Sequence, residues 1–479
     1  MPRTTDAWPN ISSPNPPDRR ECRPRNAWHR PEGAPRKPSQ HGLGALATVG
    51  DHGTRTRRSK PMKAVLHVAT LNKAIGLETG YGPIETVIHG LDKGLHNLGY
   101  RSIVACSADA IVNGEKHETV AESLGAYCSA NTEAAQERIG RHLASSLARS
   151  CSGDIGVVHM HEWYEHIYSG SFNPSVPIVM TLHVPGSDSG MVDFHDRHPA
   201  TPLASRSSVH WVAISEYQRR QYAGLIPIAH TIPHGIDVDR YEFGAVPAPT
   251  PYLFSIGRIT QVKGQDTAIE VAKRSGTKLI LAGCVQNKAE DRAFFEQLRP
   301  SIDFTVDLSD VPVDASYYDR VMKPILSSDK QIVYVGELND ASKKYWYRHA
   351  LATVFPIRWG EPFGMVLIES MASGTPVLAF REGAVPEILV DGKTGFIVDS
   401  VDAMVRAVGN AGNLDRRATR EHVERHFSVD VMARRYAALY EKIIRGDRVG
   451  VPGRLRSRPW ATYGQRQPVL TPPRVTAGA

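Results

Sequence analysis

The sequence predicts an α/β protein built from two doubly wound parallel-sheet domains that face each other across a cleft. Three observations predict it. Short apolar strand segments alternate with amphipathic helical segments from about residue 63 to residue 445. A proline-rich joint, 246-VPAPTP-251, splits that alternation into two successive series. The chain has 479 residues, more than one ordinary hydrophobic core organises.

Residues 1–61 carry 10 of the 33 prolines and no apolar periodicity, so a disordered Pro/Arg-rich extension is expected there. Met62 is a candidate start of translation, which would make the preceding segment a gene-model artefact. Folding is expected to begin with strand 63–69 and a helix whose Ile84, Val87, Ile88, Leu91, Leu95 and Leu98 form one stripe. Strand 102–107, a helix near 132–149 and strands 154–161, 177–183 and 209–215 complete a first domain, 62–247. The second, 248–427, reads as strand 252–257, helix 265–274, strand 277–283 and strands 331–336, 351–356 and 376–380, with helices between. Helix 428–444 (domain segment 428–445) is expected to cross back onto the first domain, and 446–479 to be a disordered tail.

Charge and cysteine exclude several classes. Net charge is +7, but residues 1–61 hold 12 Lys and Arg against 5 Asp and Glu, and 446–479 hold 6 against 1. The folded middle is therefore left with 39 basic and 44 acidic residues, which argues against a nucleic-acid face. Five cysteines without C-x-x-C spacing read as reduced thiols of a cytoplasmic protein. No apolar run approaches a membrane span, 42-GLGALATVG-50 is no signal core, and Arg138, Arg141 and Arg149 are too few for a stable membrane anchor.

Ligands of such sheets lie off the carboxyl ends of the strands. After strand 252–257, the segment 257-GRITQVKGQ-265 sets Arg258 and Lys263 just before a helix, where two cations suit a diphosphate. After strand 351–356, Gly360, Pro362 and Gly364 mark a tight turn into a helix, whose first N–H groups form an anion site. Glu361 at that mouth would repel phosphate, so a neutral hydroxyl is its useful partner. Glu369 lies deeper among Ile368 and Met371, where a carboxylate needs partners and a ribose diol is suitable. In the first half His183 ends its strand and so points into the cleft. His159 and His161 are taken to alternate at a strand end with only one facing the cleft, His161 being nearer the loop. No third ligand has metal-site spacing, so no metal is expected.

The E-x7-E pair Glu361 and Glu369, with Arg258 and Lys263 upstream and 374-GTPVLAF-380, 382-EGAVPEIL-389 and 391-DGKTGFIV-398 downstream, resembles the retaining glycosyltransferases of family 4. The resemblance spans about 63–444 and implies two Rossmann-like domains in the GT-B arrangement. It implies that Arg258 and Lys263 hold the donor diphosphate, Glu361 the donor sugar and Glu369 the ribose, with the backbone of Phe363, Gly364, Met365 and Val366 also meeting the donor. It places a histidine that contacts donor and acceptor at His183. The loop 79-TGYGPIE-85 resembles the family's glycine-rich loop, so Gly82 is expected at the donor and Tyr81, with His161 and His183, at the acceptor. Pro83 stands where the family more often has glycine and supplies no N–H. His183, Glu361, Arg258 and Lys263 carry the expected catalysis.

The letters 237-DVD-239 imitate a metal-binding D-x-D, but at an inter-domain joint of the wrong fold. Without a metal, leaving-group charge falls to Arg258, Lys263 and helix dipoles, and front-face displacement with retention is the expected mechanism. The function so read is transfer of a hexosyl group from a nucleotide sugar, UDP-glucose or UDP-N-acetylglucosamine before GDP-mannose, to a small soluble acceptor. A GDP-mannose-dependent mannosyltransferase, a nucleotide-sugar 2-epimerase and a non-catalytic nucleotide-sugar-binding protein are the rivals. Five aspartates (303, 307, 310, 314 and 319) with no Lys or Arg mark 301–319 as a candidate acidic lid for a cationic acceptor, such as an aminocyclitol of antibiotic biosynthesis, against the plainer reading of a solvated loop.

Overall fold

In a computed structural model of the chain, the residues described are 63–76, 82–125, 132–162, 166–167, 170–186, 209–223 and 226–447, and the statements below concern these residues. The first half forms a seven-stranded sheet: β1 (Ala64–Val68), β2 (Ser102–Ser107), β3 (Glu115–Val120), β4 (Ile155–Met160), β5 (Ile178–Thr181), β6 (Val209–Ala213) and β7 (Ile228–Thr231). Its order is β3-β2-β1-β4-β5-β6-β7, and every pairing is parallel. β1, β2 and β4 are buried throughout and mostly apolar, as strands covered on both faces are.

The second half repeats the plan with β8 (Tyr252–Ile256), β9 (Lys278–Ala282), β10 (Phe304–Thr305), β11 (Ile332–Tyr334), β12 (Ala352–Phe355), β13 (Val377–Phe380) and β14 (Gly395–Val398). The order is β10-β11-β9-β8-β12-β13-β14, again all parallel. The predicted strands are present, with each end within two residues of its expected position.

Segment 301–319 contains the two-residue edge strand β10 at 304 and 305, and three of its five aspartates serve nearby backbone. Asp303 Oδ2 accepts from the amides of Gln331 and Ile332 at 3.0 and 2.8 Å. Asp307 and Asp314 accept from the amides of Ser309 and Ser316 two residues on. Backbone bonding of this kind accounts for Asp303, Asp307 and Asp314, in agreement with the plainer reading of the segment.

The last helix, Val429–Arg445, belongs in space to the first sheet. Met432, Tyr436, Leu439, Tyr440 and Ile443 pack with Val65, Val157, Val179 and Val212, and with Val87, Leu91 and Leu95 of helix Pro83–Asn97. Gly90 and Gly94 of that helix let the two backbones approach, because a Cβ on Gly94 would lie 2.6 Å from the Cβ of Ala433. The helix enters through a bridge between Ile236 and Ser428, so the chain passes between the halves twice at one place.

Candidate functional site

The two halves meet at the carboxyl ends of their strands. Ser215, just after β6, donates its hydroxyl to the carbonyl of Pro362 at 2.6 Å. The amides of Glu216 and Tyr217 donate to the Glu387 carboxylate at 2.7 and 2.6 Å. Behind these contacts lies a cavity. Gly82, Pro83 and Thr86 at the start of helix Pro83–Asn97 wall one side, and Arg258, Lys343, Met365, Val366 and Glu369 the other.

Two clusters of charge are built there. Gly364, at φ +97°, turns the chain into helix Met365–Ala372, a backbone that favours glycine. Glu369, 8% exposed, sits on that helix and accepts from Lys343 Nζ at 2.8 Å and from the Tyr347 hydroxyl at 3.1 Å. Lys343 and Tyr347 are one turn apart on helix Asp340–His349, so the two donors share a face. Burial pulls the Lys343 ammonium down, but the Glu369 and Asp340 carboxylates outweigh it and leave its pKa raised. Burial, with Glu369 beside it, pushes the Tyr347 phenol well above its ordinary value, so that hydroxyl stays a donor. Glu361 accepts from Lys263 Nζ at 2.7 Å and from the Trp359 indole at 3.1 Å.

Arg258 and Glu369 therefore line one cavity, together with Gly82, Met365 and Val366. Lys263 and Glu361 meet as an ion pair beside it. Lys263, expected as a free diphosphate cation, is here the partner of Glu361, because the turn after β12 brings that carboxylate within reach. Arg258 gives one N–H to Gln286 Oε1 at 3.1 Å, while its Nε is buried with no partner. The Phe363 ring is core, edge-on to Phe427 and His234. Tyr81 lies outside the described residues. Lys343, Tyr347 and Trp359 were not anticipated; the i, i+4 Lys/Tyr spacing and the tryptophan two residues before Glu361 were the available signals.

The histidine expectations need correction. Residues two apart on a strand share a face, so His159 and His161 do not diverge, and their ring centroids are 4.1 Å apart. His161 bonds His183, with Nδ1 to Nε2 at 3.2 Å, and neither lines the cavity above. The absence of a third imidazole at metal-site spacing also fails. Parallel pairing sets His67 of β1 opposite His159, and His67, His159 and His161 offer nitrogens within 4.8 Å of one another. Asp237 of the D-x-D look-alike is an ion-pair partner of Lys93 at 2.5 Å.

Residues 82–240 match the family described as Glycosyltransferase Family 4, and residues 242–420 match Glycosyl transferases group 1. The chain belongs to glycosyltransferase family 4. It is similar to a D-inositol 3-phosphate glycosyltransferase of an Arthrobacter species, 29% identical over 281 residues, which is 52% of this chain and 60% of that protein. The chain thus spans less than two thirds of that relative's length. Among solved structures it resembles the sucrose-phosphate synthase of Thermosynechococcus elongatus, with TM-score 0.60 and 16% identity over 80% of this chain and 100% of the other. It also resembles Anabaena Alr3699/HepE in complex with UDP and glucose, with TM-score 0.54 and 16% identity over 79% and 99%. Those likenesses carry the fold, which is GT-B. Among the described residues no helix is long and apolar enough to cross a membrane.

Proposed function

We propose that this family member is a retaining hexosyltransferase that works without a catalytic metal. Its donor is a nucleotide sugar, UDP-glucose or UDP-N-acetylglucosamine in preference to GDP-mannose, and its acceptor a small soluble molecule in the cytoplasm. One observation carries the reading: Arg258, whose Nε is buried and unpartnered, lines the same cavity as the buried carboxylate of Glu369. A cation N–H without an acceptor is costly in a folded protein, and an anionic diphosphate would relieve it. Glu369, already held by Lys343 and Tyr347, is preset to accept from a ribose diol. The similarity to a protein solved with UDP and glucose agrees with a uridine donor.

In the reaction so proposed, Arg258 and the first turn of helix Met365–Ala372 face the leaving diphosphate as its charge grows. Glu361 accepts from hydroxyls of the donor sugar, and Lys263 then divides itself between Glu361 and phosphate. The acceptor oxygen attacks the anomeric carbon from the face the diphosphate leaves, and its proton passes to the departing phosphate oxygen. A cationic acceptor is not part of this reading, since Asp303, Asp307 and Asp314 are already engaged by backbone amides.

Calorimetric titration of the full chain with UDP, GDP and their hexose conjugates tests the reading. Selective binding of one nucleotide, weakened at least tenfold in Arg258→Ala and Glu369→Ala, is expected. No binding of any conjugate would overturn it. Conversion of the sugar without acceptor would replace it by the epimerase reading.

A further inference from the structure

Four imidazoles are linked end to end behind the cleft. His67 Nδ1 lies 3.4 Å from His161 Nε2, His161 Nδ1 3.2 Å from His183 Nε2, and His183 Nδ1 3.3 Å from His234 Nε2. His67, His161 and His234 are at most 5% exposed. The two end atoms, His67 Nε2 and His234 Nδ1, are buried without partners. Both nitrogens of His183, the ring expected at the substrates, are thus engaged by other histidines.

A neutral imidazole has one N–H and one lone pair. Each link joins Nδ1 of one ring to Nε2 of the next. Once one ring chooses a tautomer, every other ring must take the same one, or two N–H groups or two lone pairs would face each other. The neutral form is set by burial, which pulls all four well below the ordinary histidine value. Only the polarity of the whole chain then remains, and it is common to all four rings; the His234 end lies beside the Phe363 ring at 5.1 Å.

We propose that His67, His161, His183 and His234 form one tautomer-locked chain, all protonated at the same ring nitrogen, and that His67, His161 and His234 are positioning residues for His183. The positioning role rests on the transferase reading; the tautomer assignment does not. A metal at His67, His159 and His161 is the competing use of the same rings, and a 3.4 Å nitrogen separation would suit a tetrahedral ion. Against it, His159 is already bonded on both sides, to Thr181 Oγ1 at 2.7 Å and to the Tyr440 hydroxyl at 2.6 Å. The three-ring group also contains no carboxylate to offset a buried dication.

The test is long-range ¹H–¹⁵N correlation NMR on the histidine-labelled full chain at neutral pH, with each ring assigned by its His→Gln variant. Four neutral rings, all protonated at the same nitrogen, are expected. One ring of opposite tautomer, one imidazolium, or one equivalent of zinc by elemental analysis overturns the chain. The wild-type spectrum decides this even if a variant fails to fold. His161→Phe then cuts the chain in its middle. It should leave nucleotide affinity within twofold, lower turnover at least tenfold and shift the His183 and His234 ring signals. Unchanged turnover overturns the positioning role while the chain stands. Failure of wild type to bind any nucleotide instead overturns the transferase reading, which the spectrum would not detect.

Discussion

Replacing Gly94 by alanine sets two effects of opposite sign against each other. Alanine is the better helix former, and in an open helix interior the change is worth about 1 kcal/mol in favour of folding. At Gly94 the added Cβ would lie 2.6 Å from the Cβ of Ala433, 2.9 Å from Val429 Cγ1 and 3.1 Å from the Val429 carbonyl oxygen. Two of those atoms belong to, or sit directly on, the backbone of helix Val429–Arg445 and cannot turn away, so the helices must separate. Overpacking of this kind costs about 1–3 kcal/mol, and a backbone clash belongs at the upper end. The net expectation is a loss of about 1–2 kcal/mol, read as a lower urea midpoint at unchanged slope. Gly140→Ala is the control: it lies in helix Glu133–Ser150, and its Cβ meets nothing within 4 Å. It should gain where Gly94→Ala loses. Adding Ala433→Gly to Gly94→Ala should recover part of the loss. A Gly94→Ala protein as stable as wild type, or more stable, would refute the close-approach argument.

Acid should destabilise the fold through its buried histidines. His142 is fully buried between the Ala69 carbonyl and Thr119, and burial lowers its pKa to about 4. The unfolded chain takes up that proton near 6.5, so this stability is complete above about 6.5 and lost as pH falls toward 4. At pH 5 the loss is about 2 kcal/mol. Urea midpoints between pH 7.5 and 5 should fall accordingly, less steeply in His142→Gln. Arg416 is buried and donates to the carbonyls of Gly244, Ala350 and Arg348 and to Thr375 Oγ1 at 2.6–2.9 Å. Arg416→Met should lower stability by about 3 kcal/mol or more, since several buried acceptors lose their donor together; a midpoint within error of wild type would contradict this. Burial pushes the Cys106 thiol up to about 12, whereas Cys151 is exposed. Peptide mapping after brief iodoacetamide treatment should find Cys151 modified and Cys106 untouched until denaturant is added.

The plan of two parallel sheets was legible because strands covered on both faces are mostly apolar, and β1, β8 and β12 each have a single polar residue. β3, 115-EKHETV-120, escaped notice because it is an exposed edge strand with few apolar residues to declare it. β10 has only two residues and lies inside an aspartate-rich stretch whose composition pointed to a loop. In the site, Arg258, Glu361 and Glu369 could be found because each follows a strand or a turn in the local sequence. The partners of those residues could not. Lys343 is 26 residues from Glu369, and Lys263 is 98 from Glu361. His67 reaches His161 only through the register of β1 on β4. Local pattern locates a side chain on its own element, while sheet register and helix docking decide what it meets. The error over His159 and His161 was of another kind, a misapplied strand period.

The crossing helix has a consequence for how the protein is made. β1 is the first described strand to leave the ribosome, yet Val65 on it packs with Tyr436 and Tyr440, among the last described residues to be synthesised. The whole second sheet is translated between them. The first half must therefore wait, with part of one face of its sheet uncovered beside helix Pro83–Asn97, until the end of the chain is free. A message cut short before residue 429 would yield both sheets and leave the earlier one unfinished. Vectorial synthesis thus closes the first half of this protein last.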